Sequence, residues 1–214
     1  MRGCMGVKNW ILVFAAGDVR NSLCGKVTLD RRATDEFAGA LFPAESLASL
    51  GDTDLLQANP PDDEMIGGCF DGVSIVAARE FGIDFPSKLD ARFVAYGKHR
   101  TIYLHSQHSV VDWFAFAVWQ DGKLVRALSL SPDRGVMENI GEPLPFEEPF
   151  WDGQHAEGDD YPLPFHPLEL AESARRALFG YRTEGIVDPE LPFAEDIPMT
   201  RFKRAQKSWW KFWS

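Results

Sequence analysis

The sequence predicts an α+β fold, a mostly antiparallel sheet of about five strands with helices packed on it and a long acidic loop. Two neighbouring runs, 111–119 and 124–131, are rich in β-branched and aromatic residues and are joined by a tight-turn sequence. Apolar residues recur at four-residue spacing in 31–42 and 166–179, as they do on one face of a helix. Residues 132–165 carry an excess of acids and show no regular pattern.

The first element is a predicted buried strand in the apolar run Trp10 to Ala16. Gly17-Asp18 follows it directly, and the run is shorter than a usual secretion signal. It is also far shorter than a membrane span, which needs about 20 apolar residues. A helix is then predicted from Arg31 to Phe42, because Asp30 can cap its first turn and Pro43 stops it.

The middle of the chain adds further strands and one helix. A loop extends to Glu64, and a short strand from Met65 and a firmer one at 73–79 follow it. A helix is predicted to open at Pro86 and to end at Gly97. Residues 100–106 then form a strand that leads into the hairpin, so we expect three consecutive antiparallel strands.

The hairpin contains a charged residue in an apolar position. Asp121-Gly122 favours a tight turn, because glycine adopts positive φ without steric cost. Residues 124–131 alternate, and the alternation places Arg126 on the more apolar face of its strand. A buried guanidinium needs a carboxylate partner. The nearest candidates in sequence are Glu138, Glu142 and Glu147.

Residues 132–165, the acidic segment, carry nine acids against one base, Arg134. A structureless loop of this length inside a domain is usually functional or mobile. In one interpretation it is a solvated excursion that its aromatic residues pin to the core. In a second, its carboxylates surround aromatic anchors and bind a basic protein partner. In a third, a pair such as Glu138 and Glu142 acts as general acid and base. The residues expected to bind are Arg126, Glu138, Glu142, Glu147, Glu148 and Trp151.

Residues 5–200 are predicted as a single α+β domain, and residues 201–214 as a basic aromatic tail with five bases and no acid. The clearest helix of the domain begins at His166-Pro167 and ends at Gly180, with acids early and arginines late. The tail has three interpretations. It lies on an anionic membrane, folds back onto the acidic segment, or is a frayed terminus. Membrane contact would use Trp209, Trp210 and Trp213.

Several motifs resemble one uncharacterised bacterial family, a domain of unknown function. They are HSVVDW at 108–113, FAVW at 116–119, LSLSP at 128–132, GEPLPFE at 141–147 and YPLPFHPLE at 161–169. The resemblance spans about residues 5 to 200, and the basic tail lies beyond it. It implies a soluble intracellular protein and indicates no particular chemistry.

A metal site is the alternative to protein binding by the acidic segment. His105, His108 and Asp112 form an HxxHxxxD pattern with ligands suited to zinc or another divalent metal. Histidines three residues apart on a continuous strand point to opposite faces, so they converge only if residues 106–109 form the turn. We found no serine-nucleophile elbow and no phosphate-binding glycine loop in the sequence.

Composition narrows the class of protein. The net charge of -10 and a pI near 4.9 argue against binding to nucleic acid backbone. Three scattered cysteines suggest neither a disulfide framework nor a thiolate zinc site, which favours a reducing cytoplasm. We therefore expect a cytoplasmic, non-catalytic protein-binding module without a cofactor. The alternative is a small metal-dependent, hydrolase-like enzyme.

Overall fold

A computed structural model describes residues 8–25, 27–183 and 191–206. Over those residues the chain forms nine β-strands. They are β1 (Lys8–Ala15), β2 (Glu45–Asp54), β3 (Glu64–Phe70), β4 (Val73–Ala77), β5 (Thr101–His108), β6 (Trp113–Gln120), β7 (Lys123–Ser131), β8 (Gly135–Ile140) and β9 (Pro198–Gln206). All nine strands belong to one sheet, in the order β2-β9-β3-β4-β1-β5-β6-β7-β8.

The predicted fold class is wrong in its proportions. Every neighbouring pair of strands is antiparallel, as expected, but the sheet has nine strands where about five were predicted. The described helices are short, namely α1 (Val19–Leu23), α2 (Arg31–Leu41), α3 (Ala91–Tyr96), α4 (Glu148–Trp151) and α5 (Pro167–Phe179). The protein is therefore largely β rather than a balanced α+β fold.

Helices cover both faces of the sheet. Because side chains alternate along a strand, β1 sends Leu12 and Phe14 to one face and Ile11 and Val13 to the other. The first pair packs with α2 and α3, and the second pair packs with α1 and the end of α5. A further cluster lies between β6, β7 and the helices α4 and α5. The central strands are therefore buried on both sides.

Three strands have no clear signature in the sequence. β2 is exposed at most of its positions, so no alternation of apolar residues marks it. β9 is rich in charged residues, and β8 lies inside the acidic segment that was predicted to lack regular structure. β2 and β8 are the two edges of the sheet. Such strands form because a neighbour supplies backbone hydrogen bonds, which composition does not reveal.

The strongly patterned elements are confirmed. β6 and β7 form the predicted hairpin, and its two turn residues, Asp121 and Gly122, have φ values of 50° and 76°. The Asp30 carboxylate accepts a hydrogen bond from the Ala33 N–H and caps α2. α5 ends at Gly180, which adopts the left-handed conformation. The helix expected from Pro86 is divided into a 3₁₀ turn, Pro86–Lys88, and α3.

The segment predicted as a basic tail begins inside the sheet. Residues 201–206 are part of β9, and their bases meet acids. Lys203 pairs with Asp63, and Arg204 pairs with Glu45 at 2.7 Å and also with Glu80. Residues 207–214, with Trp209, Trp210 and Trp213, lie outside the described residues. Among the described helices, none combines the length and the apolar character needed to cross a membrane.

Candidate functional site

The acidic segment is anchored by a buried ion pair. Arg126 of β7 and Glu147 have fully buried side chains, and Arg126 donates from Nε and Nη2 to the two Glu147 oxygens at 2.9 and 2.6 Å. Arg126 Nη1 donates to Asn139 Oδ1 at 2.6 Å and to two carbonyl oxygens, those of Ile140 and Gly141, at 3.0 Å. Glu147 is thus the carboxylate partner that the apolar position of Arg126 requires.

Glu147 also organises the backbone around it. Its carboxylate accepts hydrogen bonds from the Leu144 N–H at 2.8 Å and from Trp151 Nε1 at 3.3 Å. Glu138 lies in a second buried contact, where it accepts from the backbone and hydroxyl of Ser87. Three of the residues expected to bind, Arg126, Glu138 and Glu147, are therefore enclosed in the protein. They fix the shape of the segment and cannot touch a partner.

An open cleft of about 730 Å³ lies between the acidic segment and α5. α4 and the residues after it form one wall, and the polar face of α5 forms the other. The lining combines aromatic and aliphatic side chains with charged ones. It consists of Phe146, Pro149, Phe150, His155, His166, Leu168, Glu169, Glu172, Ser173 and Arg176. A concave, partly apolar site with a few polar groups is the common form of a ligand pocket.

The polar groups of the cleft are arranged in pairs. The His155 ring stacks on Phe150 with a centroid distance of 4.0 Å, and its Nδ1 lies 3.5 Å from Glu169 Oε2. Glu172 pairs with the buried Arg175 and, at 3.7 Å, with Arg176. More than half of the Glu169 side chain remains exposed, so its carboxylate can accept hydrogen bonds from a bound cation.

Negative charge dominates the surroundings of the cleft. Between Arg134 and Arg175 the sequence has ten acids and no lysine or arginine. Seven of those acids are exposed, namely Glu142, Glu148, Asp152, Glu157, Asp159, Asp160 and Glu169. Glu142 and Glu148, both expected to bind, belong to this exposed group. Trp151 is half-buried against Phe165, with ring centroids 4.9 Å apart. The cleft is therefore suited to a positively charged ligand.

The three residues of the predicted metal site lie apart. β5 continues through His108, so His105 and His108 point to opposite faces of the sheet. His105 is fully buried, with Nε2 3.0 Å from the Ala171 carbonyl oxygen and Nδ1 3.2 Å from the Asn9 side chain. His108 instead stacks on Trp10. Within the described part of the chain, no three His, Cys, Asp or Glu residues group as metal ligands.

Burial lowers the pKa of both histidines. Desolvation, and then the positive charge of Arg175, lowers the pKa of His105 from 6.5 to about 3. Partial burial, and then the charge of Lys8, lowers the pKa of His108. The His105 ring is therefore neutral at pH 7. His105 serves as a core hydrogen-bonding residue that joins β5 to α5.

Asp112 lies beside the cleft rather than beside the two histidines. Its Oδ2 is 3.8 Å from Nε2 of His166, the residue that caps α5. His166 Nδ1 accepts the Leu168 N–H at 3.3 Å. His166 Nδ1 thus caps the helix, while Nε2 faces Asp112 from beyond hydrogen-bonding distance. This arrangement suits a structural role at the rim of the cleft.

Sequence reasoning missed the contribution of α5 to the site. Glu169, Glu172, Ser173 and Arg176 recur at three- and four-residue spacing, which places them on one polar helix face. That spacing is visible in the sequence, but it is also typical of a solvated helix surface. Only the position of α4 above this face makes it the wall of a cleft.

Over the described residues, the chain is a nine-stranded antiparallel sheet with helices on both faces and an acidic, aromatic-lined cleft at one side. The sequence profile of a family of unknown function, DUF6928, matches residues 9–202. The chain therefore belongs to the family of unknown function DUF6928, as the resemblance of its motifs implied. No curated protein matches the chain, and no solved structure matches it.

Proposed function

We propose that this protein is a non-catalytic binding module that holds a basic, partly apolar segment of a protein partner in the cleft between the acidic segment and α5. The observation that carries the proposal is the lining of the cleft. Aromatic and aliphatic walls, Phe146 and Leu168 among them, lie beside the exposed Glu169 carboxylate, and the one arginine of the lining, Arg176, is paired with Glu172. Apolar walls supply affinity, and acidic surroundings speed and orient the encounter with a cation.

The buried anchor makes the cleft a preformed site. Arg126 and Glu147 hold the wall of the cleft in place without reaching its surface. A site that is organised before binding loses less entropy when the ligand arrives. His166 uses its Nδ1 to cap α5, and the described ligands of the metal-dependent alternative lie apart. We therefore favour binding over the hydrolase-like alternative.

We also infer a cytoplasmic location and a protein rather than a nucleic acid as partner. Two described cysteines, Cys24 and Cys69, are free thiols, which a reducing compartment preserves. The net charge of -10 repels a phosphate backbone. A basic protein segment is attracted by the same charge.

A fluorescence anisotropy experiment tests the proposal with two labelled peptides, one alternating lysine and tryptophan and one alternating glutamate and tryptophan. We expect the lysine peptide to bind the full chain at least about tenfold more tightly, with an affinity that falls as salt is added. Glu169→Gln should weaken it several-fold, because it removes an exposed carboxylate from the cleft lining. Glu148→Gln should weaken it less, because Glu148 is an exposed acid of α4 outside the lining.

Glu36→Gln is the matched control. Glu36 is an exposed acid of α2, on the opposite face of the sheet, and it pairs with Arg32. Its neutralisation changes the net charge by the same amount and should leave peptide binding unchanged. Equal binding of the two peptides, or equal losses in the Glu36 and Glu169 variants, would show that the cleft is not the binding site.

A further inference from the structure

A loop beside the cleft exposes two adjacent apolar side chains. The 3₁₀ turn Ser109–Val111 joins β5 to β6, and Val110 and Val111 are 78% and 45% exposed. We call residues 109–112 the valine loop. Single exposed apolar residues are common on protein surfaces, but two neighbouring ones at the tip of a loop expose a connected apolar patch.

The valine loop is held firmly at its base. β5 and β6 are paired up to His108 and Trp113, directly before and after it. Trp10 packs under the loop, with its ring centroid 6.2 Å from that of His108 and 5.7 Å from that of Trp113. The two valines are therefore presented by a packed aromatic base, which limits the entropy lost when they bind.

Asp112 gives the loop its left-handed turn. Its φ of 45° and ψ of 36° lie in the left-handed region, which is uncommon for a residue other than glycine. Aspartate is one of the residues that adopt it more readily, and Asp121 does so in the turn between β6 and β7. The conformation brings the Asp112 carboxylate to 3.8 Å from His166, which lines the cleft. The valine loop therefore adjoins the lining of the cleft at His166.

The charge around the valine loop is negative on the side of the cleft. Tyr161 stacks on His166, with ring centroids 5.7 Å apart. Burial, and then the charges of Asp112 and Glu157, raise the pKa of the Tyr161 hydroxyl. Lys8 lies over Trp10 at the base of the loop, but Asp112 and the net charge of -10 disfavour an anionic lipid surface and a second copy of this chain. A basic polypeptide suits both the charge and the apolar patch.

We propose that Val110 and Val111 form a second contact for the same partner, which places an apolar side chain on them while its basic segment occupies the cleft. This inference rests on the proposed function of the cleft and extends it. The partner then has two features in one segment, namely cationic residues for the cleft and an aliphatic or aromatic residue at a fixed distance from them. Two contacts joined by a short linker bind more tightly than either alone.

The test compares peptides of different length on the same protein. The short peptide alternates lysine and tryptophan, and the long ones add two leucines through a flexible linker at either end. We expect one long peptide to bind about tenfold more tightly than the short one, the gain that burying two valines can supply. The double variant V110S/V111S should abolish that gain and leave the affinity of the short peptide unchanged.

The matched control is L50S/V125S, which removes two exposed apolar side chains, 52% and 39% exposed, from other parts of the sheet. It should keep the full gain. If neither long peptide binds more tightly than the short one, or if the gain survives in V110S/V111S, the inference is overturned while the cleft proposal stands. If the short peptide fails to bind at all, the cleft proposal is the one that fails.

Two further measurements identify a different occupant of the valine loop. Flotation with phosphatidylcholine vesicles, with and without phosphatidylglycerol, detects a lipid surface. Sedimentation equilibrium of the full chain detects a second copy. Vesicle binding or a dimer that V110S/V111S removes and L50S/V125S keeps would assign the loop to lipid or to self-association and would overturn the inference. Equal behaviour of both variants in these assays supports it.

Discussion

Substitution of Glu147 by glutamine should destabilise the protein strongly. Glu147 and Arg126 are both fully buried, and Arg126 donates two hydrogen bonds to the carboxylate. Glutamine keeps the size and shape of the side chain but removes its charge. It therefore leaves the Arg126 guanidinium inside the protein without a counter-charge, which is far more costly than the loss of a surface ion pair.

The size of the effect follows from the contacts that remain. Removing one member of a buried ion pair generally costs about 3–5 kcal/mol. Arg126 keeps three other acceptors, one side-chain oxygen from Asn139 and the carbonyl oxygens of Ile140 and Gly141, and these soften the loss. We therefore expect E147Q to lower the free energy of unfolding by about 3 kcal/mol.

Urea unfolding followed by circular dichroism measures this change as a shift of the midpoint at constant slope. Glu148→Gln is the control, because Glu148 is the exposed neighbour and should change the free energy of unfolding by no more than about 0.5 kcal/mol. The double variant R126M/E147L removes both charges and should be more stable than E147Q alone. A cost of E147Q equal to that of E148Q would refute the reasoning, since it would mean that the pair is hydrated.

The fold makes two further predictions. The pKa of His105 is 6.5 in the unfolded chain and about 3 when folded, so the unfolded state takes up the proton first as the pH falls. The free energy of unfolding should have its full value above about pH 6.5 and should be lower by about 2 kcal/mol at pH 5. H105Q should remove most of that slope, and an unchanged urea midpoint between pH 7 and 5 would contradict the assignment. A Cβ on Gly141 would lie 2.0 Å from the Val125 carbonyl oxygen. G141A should therefore cost about 3 kcal/mol or more, against about 1–2 kcal/mol for G153A, where φ is 79° and no atom lies within 4 Å. Thermal melts of G141A and G153A measure the two losses of stability. Similar losses would contradict the predicted steric clash at Gly141.

Much of the centre of the sheet could be predicted from local patterns. The apolar run that became β1 and the Asp121-Gly122 hairpin are marked by short-range signals, because buried central strands need continuous apolar residues and tight turns need positive φ. The edges could not be predicted in the same way. β2 and β8 are stabilised by backbone pairing with one neighbour, and their exposed side chains carry no hydrophobic period.

The candidate site likewise combines features that the sequence predicts with features that only the folded structure shows. From the sequence alone, the apolar position of Arg126 predicted a carboxylate partner. The three-residue spacing of His105 and His108 on one strand likewise argued against a metal ion that both would bind. Which of three glutamates meets Arg126 depends on how the acidic segment turns, and Glu147 is the one that does. That pairing then removes Glu147 from any contact with a partner, a consequence that no pattern in the sequence indicates.

The sequence by itself determined the family, the central antiparallel strands, the helices that flank them and the excess of acids between residues 132 and 165. These properties depend on composition and on spacing along the chain. The tertiary structure alone decided the nine-strand count, the cleft and the placement of Asp112 beside His166. Each of these depends on contacts between residues far apart in the chain, because backbone pairing and burial are set by the neighbours that folding brings together.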